Sequence, residues 1–217
     1  MEKQFILFDL DGTLTDSGEG ITKSVAYAVE SLGYAPLSPN TLREFIGPPL
    51  LDGFREYANM PAEIAEKAVR KYRERYRDIG IFENAVYDGV PEMLEGLKNC
   101  GKTLILATAK PIFFAKQIMQ HFNLAKYFEK LFGAEFSGEI NNKNAVIKLA
   151  LSDCGIENKS EAVMVGDRSQ DIIGAKANGI ESIGVLYGYS DDGELQNAGA
   201  DLICKTPNDV LNALCGK

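Results

Sequence analysis

The apolar positions of this chain follow two patterns. Short unbroken runs form the first: Phe5-Ile-Leu-Phe8, Thr103-Leu-Ile-Leu-Ala107, Ala162-Val-Met-Val165 and Ile183-Gly-Val-Leu186. Runs of this kind suit parallel strands covered on both faces, where no polar residue needs to alternate outward. Between them, apolar residues recur at helical spacing. Lys143 to Cys154 sets Val146, Leu149 and Ala150 on one face and is followed by Gly155; Ser169 to Asn178 is followed by Gly179. Glycine just past the last helical residue is a common stop signal. Strands alternating with helices predict an α/β fold with a doubly wound parallel-sheet (Rossmann-like) core.

Residues 16–85 break that rhythm and hold no clear strand. Ile21, Val25, Ala28, Val29 and Leu32 lie at helical spacing ahead of Gly33; Ile64, Ala68, Tyr72, Tyr76 and Ile79 do the same between Pro61 and Gly80. Thr41 to Phe45 and Leu50 to Tyr57 read as shorter helices on either side of Gly47-Pro48-Pro49. A block of this length is too long for a loop and too regular for a linker. It predicts a small α-helical cap domain, 16–85, inserted into a core made of 1–15 and 86–217.

Composition narrows the function classes. The 217 residues carry a formal net charge of −8. No basic stripe is present, so a nucleic acid polymer is not an expected partner. The single histidine, His121, argues against paired-histidine metal or phosphohistidine chemistry and reads as a surface or interface residue. The four cysteines, Cys100, Cys154, Cys204 and Cys215, form no CxxC pair and read as free thiols in a reducing compartment. The apolar stretch near the start is far shorter than a signal or membrane segment needs, so a cytoplasmic protein without a membrane partner is expected.

The polar residues that interrupt this scheme sit where strands end. Asp9 closes the first apolar run in Asp9-Leu-Asp11-Gly12-Thr13. Ligands of an open parallel sheet bind beyond the carboxyl ends of its strands, so Asp9 is expected in that crevice, with Asp11 able to face the same side. Two such carboxylates repel unless a cation or a proton intervenes. An Asp-Gly turn is the plainer reading. Asp167 and Asp171, in Gly166-Asp-Arg-Ser-Gln-Asp171, also follow an apolar run and open a helix, with i, i+4 spacing that suggests one helical face. Helix capping is the plainer reading there. Taken together, four carboxylates at one sheet edge call for a hard cation, and oxygen ligands favour Mg²⁺. Thr108-Ala109-Lys110-Pro111 follows the run 103–107 and precedes a helix, a setting that suits an anion. Lys143 starts another helix and, alone, is a weak signal.

These pieces together resemble the haloacid-dehalogenase superfamily of phosphohydrolases. Its pattern is DxDGT, a strand-end Ser/Thr, a Lys and GDxxxD, which read here as Asp9 to Thr13, Thr108, Lys143 and Gly166 to Asp171. The insert looks like the helical cap of the phosphoglycolate phosphatase and β-phosphoglucomutase branch, and Arg43 to Leu50 is similar to a cap segment of the phosphoglycolate phosphatases. In many relatives the motif lysine is followed by proline; here Asn144-Ala145-Val146 follows Lys143, which leaves Lys110 as the second candidate for the charge-balancing lysine. Relatives without those prolines include 5′-nucleotidases.

The resemblance implies a Mg²⁺-dependent phosphomonoester hydrolase of a small phosphorylated metabolite. Asp9 would be the nucleophile and form an aspartyl-phosphate, and Asp11 the general acid and base. Asp9, the Asp11 backbone carbonyl, Asp167 and Asp171 would hold the metal. Thr108 and Lys143 would hold phosphate oxygens, with Gly12, Thr13, Ala109 and Lys110 lining the substrate side and Glu19, Arg43 and Gly47 of the cap near the leaving group. Phosphoglycolate and 5′-nucleotides are the expected substrate classes. A sugar phosphomutase, a phosphonatase using Lys23, a dehalogenase and a non-catalytic phosphometabolite-binding regulator are the other readings. The full DxD pair favours phosphate, because halide leaves without needing a proton.

Overall fold

The computed structural model describes residues 2–135, 140 and 142–216. The chain divides into two compact units, 1–15 with 86–217, and 16–85. In chain order, β1 (Phe5–Phe8) and β2 (Thr15–Asp16) precede four helices: α1 (Gly18–Ser31), α2 (Pro39–Arg43), α3 (Leu50–Glu56) and α4 (Ala62–Arg75). A π-helical turn, Tyr76–Gly80, extends α4 and leads to β3 (Ala85–Val86). Then follow α5 (Val90–Asn99), β4 (Thr103–Pro111), α6 (Ile112–His121), β5 (Phe128–Ala134), α7 (Lys143–Asp153) and β6 (Ala162–Gly166). The chain closes with α8 (Ser169–Ala177), β7 (Glu181–Val185), α9 (Glu194–Ala198), β8 (Leu202–Cys204) and α10 (Pro207–Cys215).

Six strands form one parallel sheet in the order β5-β4-β1-β6-β7-β8. β1 lies between β4 and β6, with Leu7 level with Ile105 on one side and Met164 on the other. On that face these three side chains pack with Val146, Ala150 and Ala175 from the flanking helices. Ile6, Phe8, Leu104 and Leu106, whose side chains alternate to the opposite face, are equally buried. Burial on both faces is why the strands are apolar without alternation. The alternating strands and helices therefore build the α/β Rossmann-like fold that the pattern predicts.

β5 and β8 do not read as strands buried on both faces, since their residues are only partly buried at the sheet edges. β4 departs from expectation by running on to Pro111, so Thr108, Ala109 and Lys110 belong to the strand's end and not to a loop before a helix.

The second unit holds four α-helices among its described residues. The Arg75 guanidinium grips the Glu83 carboxylate through both Nη atoms, at 2.7 and 3.0 Å, and also donates to Ser24 Oγ of α1. Gly20 N donates to the Glu83 carbonyl, which ties α1 to the segment following α4.

The expectation of four free thiols is corrected by the fold. Cys100, at the end of α5, and Cys215, at the end of α10, form a disulfide, and only Cys154 and Cys204 are free. α5 and α10 pack closely, with Gly96 leaving room for the Leu211 side chain. A bond closing 115 residues of chain acts mainly by restricting the unfolded chain. Replacing Cys215 with serine should therefore lower the unfolding free energy of the oxidised protein by about 2–4 kcal/mol. Urea unfolding without reductant measures this, and equal midpoints for wild type and C215S would show that the bond adds nothing.

Candidate active site

The site is assembled at the carboxyl ends of the three central strands. Asp9 follows β1 directly, and its N–H still donates to Val165 O of β6 at 3.0 Å. The chain then folds into a tight turn in which Leu14 N and Thr15 N both donate to Leu10 O. Gly12 makes this turn possible with φ +84, and a side chain there would fall on the Asp167 carboxylate. Asp167 follows β6, and Thr108 lies near the end of β4.

Asp9, Asp167 and Asp171 converge, each offering a carboxylate oxygen within 4.8 Å of the others. Lys143, the first residue of α7, enters the same space. Its Nζ lies 2.6 Å from Asp9 Oδ1 and 2.8 Å from Asp171 Oδ1, and it donates to Ala107 O at 3.1 Å. Its residue is only 5% exposed. Burial alone would lower its ammonium pKa, but the charges of Asp171 and Asp9 outweigh that and raise it. Lys110 takes a different partner: its Nζ lies 2.7 Å from Asp11 Oδ2. The two lysines left open by the sequence thus lie on separate carboxylates, Lys143 against Asp9 and Lys110 against Asp11.

The helical reading of Asp167 is corrected by the geometry. α8 begins at Ser169 with Arg168 as its N-cap, so Asp167 lies before the helix and does not share a helical face with Asp171. Asp171 sits in the first turn, where its Oδ2 accepts from Arg168 N at 3.1 Å while Oδ1 faces Lys143. Asp167 is held by Thr13 Oγ1, at 3.0 Å, and by Tyr189 N, at 2.8 Å. Thr13 is fully buried, so its hydroxyl supports Asp167 in place of the substrate-facing position expected for it. Tyr187, whose phenol pKa is pushed up by burial, donates to the Thr13 carbonyl at 3.0 Å. The 187–189 segment carries no motif that marks it in the sequence; only its fold beside Asp167 reveals it.

The electrostatics of this cluster suit a cation. Burial raises Asp167 well above the ordinary carboxylate range, and the charges of Asp171 and Asp9 add to this. Burial likewise pushes Asp171 up to about 6, against the pull of Lys143. Three buried carboxylates with one ammonium among them hold surplus negative charge, and a hard cation with oxygen ligands relieves it. The residues present therefore fit a metal.

Thr108 is 1% exposed and its Oγ1 accepts from Lys110 N at 3.2 Å, with Ala109 between them partly exposed. Glu19, Arg43 and Gly47 belong to the other unit. Glu19 pairs with Lys23 at 2.5 Å, Arg43 is exposed at the end of α2, and Gly47 has φ +108.

Comparison with known proteins shows the family. The family model described as haloacid dehalogenase-like hydrolase matches residues 6–185. A 5′-nucleotidase of Pseudomonas aeruginosa is 44% identical over 191 residues, covering 88% of this chain and 86% of its own. A phosphoglycolate phosphatase of Vibrio parahaemolyticus is 31% identical, with 97% of this chain and 96% of its own covered. A crystal structure described as a predicted phosphatase of Clostridium acetobutylicum superposes with a TM-score of 0.93 at 43% identity, covering 98% of each chain. With the motif residues gathered at one sheet edge, the chain belongs to the haloacid dehalogenase-like hydrolase family, as a phosphatase.

Proposed function

We propose that this phosphatase is a Mg²⁺-dependent phosphomonoester hydrolase that works through an aspartyl-phosphate on Asp9. The observation that carries the reading is the pairing of two carboxylates with two lysines beside a buried acidic cluster. Asp9 attacks phosphorus, the bond from phosphorus to the leaving oxygen breaks, and Asp11 gives that oxygen a proton. Asp11 then takes a proton from the water that attacks the aspartyl-phosphate, which frees phosphate and restores Asp9. Lys143 balances the charge of Asp9, and the Thr108 hydroxyl donates to a phosphate oxygen. Asp9, Asp167, Asp171 and the Asp11 backbone carbonyl would hold Mg²⁺, which neutralises charge on the phosphate.

For the substrate, the higher identity to the 5′-nucleotidase puts 5′-nucleotides first, with phosphoglycolate the second class. Glu19, Arg43 and Gly47 are the candidates for discriminating between them. A phosphonatase using Lys23 is disfavoured. A Schiff-base lysine needs a lowered pKa, whereas hydrogen bonds from Lys23 to Glu19 and Glu83 raise it.

Two outcomes are expected. Asp9→Asn should reduce steady-state turnover of p-nitrophenyl phosphate by at least about 10³-fold while thermal melting stays close to wild type, since an amide is not a nucleophile here. A variant that turns over normally, with mass spectrometry excluding deamidation, refutes the role of Asp9. Chelated enzyme should be inactive, regain activity with Mg²⁺ and fail to regain it with Ca²⁺, whose larger, looser coordination suits this compact cluster poorly. Full activity after complete chelation refutes the metal assignment.

A further inference from the structure

We infer that Lys110 is a positioning residue that aims the proton-transferring oxygen of Asp11, an inference that rests on the phosphatase reading above. The pair is sheltered, with side chains 5% and 12% exposed, and joins residues 99 apart in the chain. Asp11 Oδ2 is engaged by Lys110 at 2.7 Å, while Asp11 Oδ1 is buried and has no hydrogen-bond partner in the protein. A carboxylate free to rotate about its terminal torsion spreads its oxygens over a broad range. Fixing one oxygen limits that rotation and leaves the other in a defined direction. A general acid needs this, because proton transfer requires a chosen atom within hydrogen-bond reach of the leaving oxygen.

The local backbone shows why Lys110 can do this. β4 and β5 pair in step at Thr108 with Gly133, but the next partners are Pro111 and Ala134. Ala109 and Lys110 are thus extra residues on β4, and such a bulge bends a strand and redirects a side chain. Lys110 N is turned back onto Thr108 Oγ1. Gly133 gives the bulge its room, since a side chain there would strike the Lys110 carbonyl and the Ile112 backbone. Lys143 is held among Asp9, Asp171 and Ala107 O, so the two ammonium groups serve different carboxylates. In the first step Asp11 Oδ1 gives its proton to the leaving oxygen as the Asp9–phosphorus bond forms; in the second it accepts a proton from water. Lys110 neither gives nor takes a proton in either step.

The test is the dependence of kcat/KM on the leaving group. Departure of a nitrophenolate needs little protonation, whereas departure of an alkoxide needs a proton. With Mg²⁺ present, Lys110→Met should lose several-fold on p-nitrophenyl phosphate, more on phenyl phosphate, and about 10²-fold on an alkyl phosphate such as glycerol phosphate, within the usual range for general acid catalysis. Asp11→Asn should show the same trend more steeply. If K110M melts well below wild type, Lys110→Arg decides: the restored cation should flatten the dependence toward wild type, and a K110R profile as steep as that of a carboxylate loss overturns the inference. An equal loss on every ester, or no loss on any, also overturns it. A wild-type protein inactive on the whole series overturns the phosphatase reading itself, whereas an active wild type with a flat K110M series overturns only the role of Lys110.

Discussion

A lysine ammonium enclosed by carboxylates is the constraint around which this site is organised. Lys143 occupies the first position of α7, where the helix dipole disfavours a positive charge. Its position is therefore set by Asp9 and Asp171, which it meets at 2.6 and 2.8 Å. Removing one member of a buried ion pair typically costs about 3–5 kcal/mol, because the remaining charge is left in a poor solvent. The same contacts that hold α7 against β1 and α8 therefore also hold Asp9, the proposed nucleophile. Structure and chemistry are coupled through one side chain.

Sheet order brings the remaining groups to that point. β4, β1 and β6 are neighbours, so the residues that leave their carboxyl ends start within about 10 Å of each other, given the usual strand spacing. Asp9 and Asp11 follow β1, Thr108 and Lys110 end β4, and Asp167 and Asp171 follow β6. The glycine at position 12 allows the β1 turn and the Asp167 carboxylate to occupy adjoining space. Thr13, Tyr187 and Tyr189 then fix Asp167 from the other side. The result is a buried acidic cluster that would suit a hard cation, with Asp167 held by Thr13 and Tyr189.

The Cys100–Cys215 bond belongs to a different layer of the design. It joins the ends of α5 and α10, both remote in sequence from the acidic motifs, and it runs against the reducing compartment expected from scattered cysteines. Among the described residues no helix is long and apolar enough to cross a membrane. The bond thus restricts the chain of the α/β unit without entering its chemistry.

Local features were legible in the sequence because they depend on local physics. A strand buried on both faces must be apolar throughout, and this marked β1, β4, β6 and β7; helical periodicity marked α1, α4, α7 and α8 in the same way. An aspartate ending such a strand is conspicuous, and this makes Asp9, Asp167 and their companions legible in the sequence. Edge strands β5 and β8 lacked that signature because they are only partly buried. What the tertiary structure alone decided was partnership across long stretches of chain. Lys110 with Asp11, Lys143 with Asp9, Thr13 with Asp167 and Cys100 with Cys215 are separated by 99 residues or more. Such pairs follow from strand order, from the bulge that turns Lys110 and from the start of α8 after Asp167. Periodicity records only which side of an element is buried, so it cannot say which distant charge that side will meet.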